Sequence, residues 1–185
     1  MNKIDEFLFK ISGYKPNIND GQFIISESLL SKADEAYNQK DYQTAVSIWE
    51  KYANLNSGIC LVKLAGAYWE GHGVPLDYIK SFKLLIKGTL LIGGAQNYFN
   101  LAIGYQLGGF TDKNLYYSYF FYTCAEHYAS EDEIDLRNQS KERKDEIYKE
   151  LSNDDRQKAD SLIKAISLGF EPAGMSVAVD LIETL

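Results

Sequence analysis

Leu64-Ala65-Gly66-Ala67-Tyr68-Trp69-Glu70-Gly71 lies over Leu101-Ala102-Ile103-Gly104-Tyr105-Gln106-Leu107-Gly108, with Leu, Ala, Tyr and Gly in the same places at a spacing of 37 residues. A fixed period of that length marks stacked helix pairs, so it takes precedence over any residue-by-residue reading. A more degenerate copy precedes them: Ala33-Asp34-Glu35-Ala36-Tyr37, then Asp41-Tyr42-Gln43-Thr44-Ala45, where Tyr37 stands for Tyr68 and Ala45 for Ser81.

Outward from the Tyr68 segment, Leu61, Leu64, Ala65 and Tyr68 recur at i, i+3, i+4 and i+7, the spacing of one helix face. The small residue, Ala65 or Ala102, lets the next helix approach, and the tyrosine fills the space where two helices diverge. Gly71 and Gly73 punctuate the turn, Pro75 stops the first helix, and Asp77 is placed to cap the second. That second helix, from about Tyr78 to Lys87, is expected to carry Ser81, Leu84 and Leu85 inward, and Gly93-Gly94 breaks the chain after it.

Gly71-His72-Gly73-Val74-Pro75-Leu76-Asp77-Tyr78-Ile79-Lys80-Ser81 resembles the turn of the SEL-one-like repeat, a relative of the tetratricopeptide repeat. Leu84-Leu85-Ile86-Lys87-Gly88 stands where that family has Trp-Tyr-x-Lys-Ala, with Leu84 replacing the tryptophan. The first unit, Ala33 to Ala45, is similar to a plain tetratricopeptide repeat. In the third, Gly108-Gly109-Phe110-Thr111-Asp112 keeps part of the turn pattern, and Lys80 has no clean counterpart among Tyr116-Tyr117. The resemblance runs from about Leu29 to Ala129. It implies an all-α, right-handed α-solenoid with repeat units at about 29–56, 57–93 and 94–129, in a single domain of residues 1–185 closed by a C-terminal helical cap over 130–185.

In that cap, Ser130 to Lys149 reads as a long solvated helix or a partly flexible excursion, since its apolar stripe is thin. A further helix is expected after Ser152 or Asn153, with Asp154 and Asp155 in its first turn, an inward stripe of Ala159, Leu162, Ile163 and Ile166, and Gly169 as its end. Gly174 to Leu185 reads as a final apolar helix over the open end of the stack.

Composition narrows the function. With 185 residues, 45% apolar and 24% charged, the chain is of the globular class. Asp5, Glu6 and Lys10 interrupt any signal-peptide core, and the apolar run Leu115 to Ala125 is too short to span a bilayer, so a cytoplasmic protein without membrane contact is expected. Twenty-six acids against 19 bases, a net charge of -7, disfavour nucleic acid and suit a basic partner.

Candidate chemistry is sparse. Cys60 and Cys124 read as reduced core thiols. His72 reads as an exposed turn residue, and a metal site shared with His127, more than fifty positions away, is left unsupported because no Asp or Glu sits at a ligand spacing to either. The glycines follow helices, where no phosphate loop forms. No catalytic residue, metal or cofactor is therefore assigned, and the chain is expected not to be an enzyme. Fourteen tyrosines and nine phenylalanines are divided between core filler and interface.

The resemblance places the first helix of each unit on the concave side. Groove positions then fall at Ser31, Glu35, Asn38 and Gln39; at Val62, Gly66, Trp69 and Glu70; and at Phe99, Ile103, Gln106 and Leu107. Trp69 with Phe99 is the expected anchor pair, unless the final helix folds back over them. The function that follows is protein binding without catalysis. A small acidic monomer suits a bacterial immunity or inhibitor protein that neutralises a basic toxin, a nuclease being one fit. The alternative is a regulatory adaptor or scaffold that binds peptides or several partners in its groove.

Overall fold

A computed structural model describes residues 25–108 and 111–167, with nothing said of the side chains of Leu162, Ala165, Ile166 and Ser167. The described residues form eight α-helices, one 3-10 turn and no strand. The chain divides into two compact units, Met1–Ile92 and Gly93–Leu185.

The first unit contains α1 (Glu27–Asn38), α2 (Tyr42–Ala53), α3 (Gly58–Glu70) and α4 (Tyr78–Ile92). Each helix packs on the next. α3 lies between α2 and α4, which is why Cys60 and Ala67 are buried as well as the expected Leu61, Leu64, Ala65 and Tyr68. α4 departs from expectation: it runs on to Ile92, and its buried side chains are Ser81, Phe82, Ile86 and Thr89, while Leu84 and Leu85 are only half-buried. Gly88, at the centre of that face, sets the closeness of the pair. A Cβ there would stand 2.9 Å from the carbonyl oxygen of Gly58 and 2.7 Å from Val62 Cγ2.

The second unit contains α5 (Ala95–Leu107), α6 (Leu115–Tyr128), a 3-10 turn (Glu131–Glu133), α7 (Ile134–Glu150) and α8 (Asn153–Ser167). α6 is buried continuously from Ser118 to Ala125 because α5, α7 and α8 all pack against it. The aromatic run therefore serves mainly as interior. Phe121 stacks on Tyr105 at 5.8 Å, and Tyr119 meets Tyr148 of α7 at 5.8 Å. Residues 134–150 are a helix docked on α6 by Ile147, by the Lys144–Glu126 ion pair and by the Arg137 guanidinium on the Ala129 carbonyl at the end of α6. Ser152 is the N-cap of α8: its Oγ accepts from the Asp155 N–H at 3.2 Å and donates to Asp155 Oδ2 at 2.9 Å. The expected end at Gly169 and the final helix Gly174–Leu185 lie outside the described residues.

The 37-residue period is a period of hydrogen bonds. Ser81 Oγ donates to the Ala65 carbonyl at 2.7 Å, and Ser118 Oγ to the Ala102 carbonyl at 2.8 Å, both buried. The Asp77 N–H closes the turn on the Tyr68 carbonyl at 3.0 Å, as the Asn114 N–H does on Tyr105 at 2.9 Å. Asp77 Oδ1 accepts from the Lys80 N–H, and Asn114 Oδ1 from the Tyr117 N–H, each at 2.9 Å. Gly71 and Gly108, at φ +71° and +70°, supply the positive φ at which these two helices end, Gly71 as a left-handed cap and Gly108 with an extended ψ of -161° that only glycine adopts readily.

Candidate protein-binding surface

Exposure follows the register of the first helices. On α1, Ser31, Glu35, Asn38 and Gln39 are exposed; on α3, Gly66, Trp69 and Glu70 are exposed and Val62 is half-buried. Among the described residues, apart from its own helix, nothing stands within 4 Å of a Cβ built on Gly66. Trp69 is 47% exposed, its ring 4.7 Å from that of Tyr78, whereas Trp49 is buried at 3%.

On α5 the positions divide differently. Phe99 is buried, edge-on to Tyr122 at 5.4 Å, which removes it from the expected anchor pair. Its place in the register points it at α6, whose bulky aromatic face closes over it. Gln106 accepts the Tyr122 hydroxyl at 2.9 Å, Ile103 is half-buried, and Leu107 is exposed.

Glu70 is held rather than loose. The Tyr37 hydroxyl donates to Glu70 Oε2 at 2.5 Å, and His72 Nδ1 stands 2.9 Å from both oxygens. The His72 ring stacks on Tyr42 at 4.1 Å with an interplanar angle of 5°. Below it, Gln43 Nε2 donates to the Gly73 carbonyl at 3.0 Å, and a Cβ on Gly73 would meet the Tyr42 carbonyl oxygen at 2.8 Å. Burial, then the hydrogen bond to Glu70, pushes the Tyr37 phenol up. His72 is thus a half-buried pin between the α3–α4 turn and the α1–α2 hairpin, where the exposed turn residue was expected. The signal lay in tyrosines one repeat upstream: Tyr37 and Tyr42 begin and end the α1–α2 turn, the surface on which the next turn rests.

Cys60 and Cys124 are buried, and burial pushes both thiols up, so neither is placed to act as a nucleophile. Among the described residues no group of three His, Cys, Asp or Glu side chains could hold a metal ion. No described helix is long and apolar enough to cross a membrane.

No protein-family model matches the chain, and no curated protein does. Among solved structures it is similar to that of c5321, a protective antigen present in uropathogenic Escherichia coli strains and displaying an SLR fold, with a TM-score of 0.59 and 15% identity. The chain has the SEL-one-like repeat fold. The likeness covers 88% of this chain and 33% of that one, so the chain spans about a third of its length.

The charge of the chain is unevenly spread. Residues 1–125 carry eleven acidic and eleven basic side chains, and residues 126–185 carry fifteen and eight. The whole net charge of -7 therefore resides in the last third. Averaging over the chain hid this, and it separates the acidity from the α1 and α3 positions at which the groove was read.

Proposed function

We propose that the chain is a non-enzymatic protein-binding module whose partner is a basic toxin, sequestered in the cytoplasm by this protein as a monomeric immunity or inhibitor protein. The observation that carries the binding reading is Gly66, bare between Val62 and Trp69 on the exposed face of α3. Glycine inside a helix costs about 1 kcal/mol relative to alanine, and among the described residues no neighbour requires it here. A partner's backbone laid close on α3 supplies the requirement, with Glu35, Asn38, Gln39, Val62, Trp69 and Glu70 around it. The toxin reading is supported by the acidity. A field centred on residues 126–185 reaches about a Debye length, roughly 8 Å at physiological salt, beyond the surface and speeds the encounter with a basic protein whichever face makes the short contacts.

The bare glycine also favours a second reading, an adaptor that takes an extended peptide. The two separate on stoichiometry and on rescue. Tagged protein co-expressed with the product of the adjacent gene is expected to retain one basic protein at equal stoichiometry, to release it as salt rises, and to restore growth that the product alone arrests. Several substoichiometric partners without rescue would favour the adaptor, and retention of none would overturn both.

A further inference from the structure

Four large apolar side chains exposed to solvent fall within eleven residues: Trp69 at 47%, Leu76 at 54%, Tyr78 at 43% and Ile79 at 57%. The turn brings the Trp69 and Tyr78 rings together, with Leu76 and Ile79 to either side of Tyr78 in the chain. The Asp77 N–H bonds to the Tyr68 carbonyl, so residues 76–78 run beside the last turn of α3, and the Tyr78 ring meets that of Trp69. A Cβ on Gly71 would stand 3.3 Å from Leu76 Cβ. The cluster occupies the end of the first unit at which α1 and α3 finish and α2 and α4 begin.

Among the described residues that end is acidic, although residues 25–92 as a whole are neutral. It holds Glu35, Asp41, Glu70 and Asp77 against Lys40 and Lys80, and Lys80 is turned onto the Tyr68 ring with Nζ 4.1 Å from its centroid. The rest of residues 25–92 reverses the balance, with five lysines and three acids. An exposed apolar cluster at a neutral rim accepts any hydrophobic surface; an acidic rim selects one that also carries positive charge.

We infer that the α3–α4 turn end of the first unit docks a segment of the partner protein in which arginine or lysine alternates with aliphatic residues. The stem of the cation lies on the Trp69 and Tyr78 rings, its aliphatic neighbours cover Leu76 and Ile79, and its head faces the rim carboxylates. The chain already uses this pairing internally, in Lys80 over Tyr68. The inference rests on the reading that the partner is a basic protein, and it adds a site largely outside the α1–α3 face.

The test uses the full chain and a fluorescein-labelled dodecapeptide of alternating arginine and leucine, read by anisotropy, with glutamate replacing arginine in the control peptide. Circular dichroism confirms that each variant is folded. The arginine peptide is expected to bind and the glutamate peptide not to. Ile79→Glu and Trp69→Ala are each expected to weaken binding about thirtyfold, as removal of a hot-spot side chain does, with Leu76→Ser as a milder third variant should either fail to fold. Glu50→Gln and Lys87→Gln, exposed on α2 and α4 toward the other end of the unit, are expected to change it less than about threefold. Equal binding of the two peptides, or folded Ile79→Glu and Leu76→Ser proteins that bind as the parent does, would overturn the site. Capture of the basic partner that is insensitive to Ile79→Glu would also sink the site and leave the proposed function standing. Peptide binding lost on Ile79→Glu, with no rescue from any toxin, would keep the site and remove the toxin reading.

Discussion

In the first unit Lys80 Nζ sits 4.1 Å over the Tyr68 ring and two glycines, Gly58 and Gly88, let α3 and α4 touch; in the second, Tyr117 takes the place of Lys80, its ring 5.4 Å from Tyr105, and Ala95 and Ala125 stand where the glycines were. The hydrogen bonds around these positions are the same in both units, down to the buried serine on an alanine carbonyl. Backbone demands are fixed by the turn and allow few chemistries, whereas the space over a tyrosine ring accepts either a cation or another ring. The first unit thereby keeps a close crossing and a mixed surface with exposed apolar side chains. The second spends its aromatics on its interior and carries the chain's net charge from Glu126 onward.

The largest expected contrast between the units is alkaline. Burial raises Tyr119 and Tyr122 of the second unit to about 12 and lifts Tyr105 as well, while Tyr37 is the raised phenol among the described residues of the first. An unfolded phenol ionises near 10, so from there upward the unfolded chain holds fewer protons than the folded one. The stability that these groups contribute is complete below pH 10 and is lost as pH rises towards 12. Hydrogen exchange is expected to show amides around Leu101 and Phe121 losing protection at lower pH than those around Leu61 and Leu64. The reverse order, or a single common transition, would break the contrast.

Next in size is the crossing. Gly88→Ala should destabilise the first unit by about 2 kcal/mol, because the new methyl meets the Gly58 carbonyl at 2.9 Å and the clash exceeds the gain in helix propensity. Thermal or urea unfolding read by tryptophan emission suits this test, since both tryptophans, Trp49 and Trp69, lie in that unit. A neutral Gly88→Ala would show that α3 and α4 can part enough to take a methyl at this crossing.

The Tyr68 segment and its copy made the helix pairs legible, because the turn geometry constrains identity at Gly71, Asp77 and Ser81. What escaped the reading depends on which turn rests on which. His72 looks isolated in the sequence, and only the neighbouring repeat supplies Tyr37 and Tyr42 to hold it. Phe99 matches a groove position in register, yet the face it meets is set by the size of the α6 aromatics, which the register does not specify. Leu84 and Leu85 were read inward for their apolarity, whereas the α4 face turned to α3 is chosen by Gly88 and Ser81, small residues that a search for apolar stripes passes over. The charge division at residue 126 needed only counting by segment.

A smaller expected effect concerns the shared skeleton. Ser81→Ala and Ser118→Ala should each cost about 1 kcal/mol, the net worth of a buried hydrogen bond whose acceptor, a helix carbonyl, keeps its backbone partner. Near-equal losses in the two units, measured by urea unfolding, would support a common skeleton, and a twofold difference would show that the surrounding packing decides the value.

The smallest effect bears most directly on whether the two fillings are interchangeable. Lys80→Met keeps the aliphatic stem and removes the ammonium from the Tyr68 ring and hydroxyl, for an expected loss of about 0.5–1 kcal/mol. Lys80→Tyr instead carries the second unit's solution into the first, where the Tyr68 ring would receive an edge as Tyr105 does from Tyr117. If the sites are equivalent in space as they are in register, Lys80→Tyr should recover most of what Lys80→Met loses. A tyrosine worse than methionine would mean that the close Gly58–Gly88 crossing leaves too little room above Tyr68 for a second ring. In that case the cation in the first unit is a consequence of how tightly its helices pack at Gly58 and Gly88, and the two fillings over the tyrosine ring are not interchangeable.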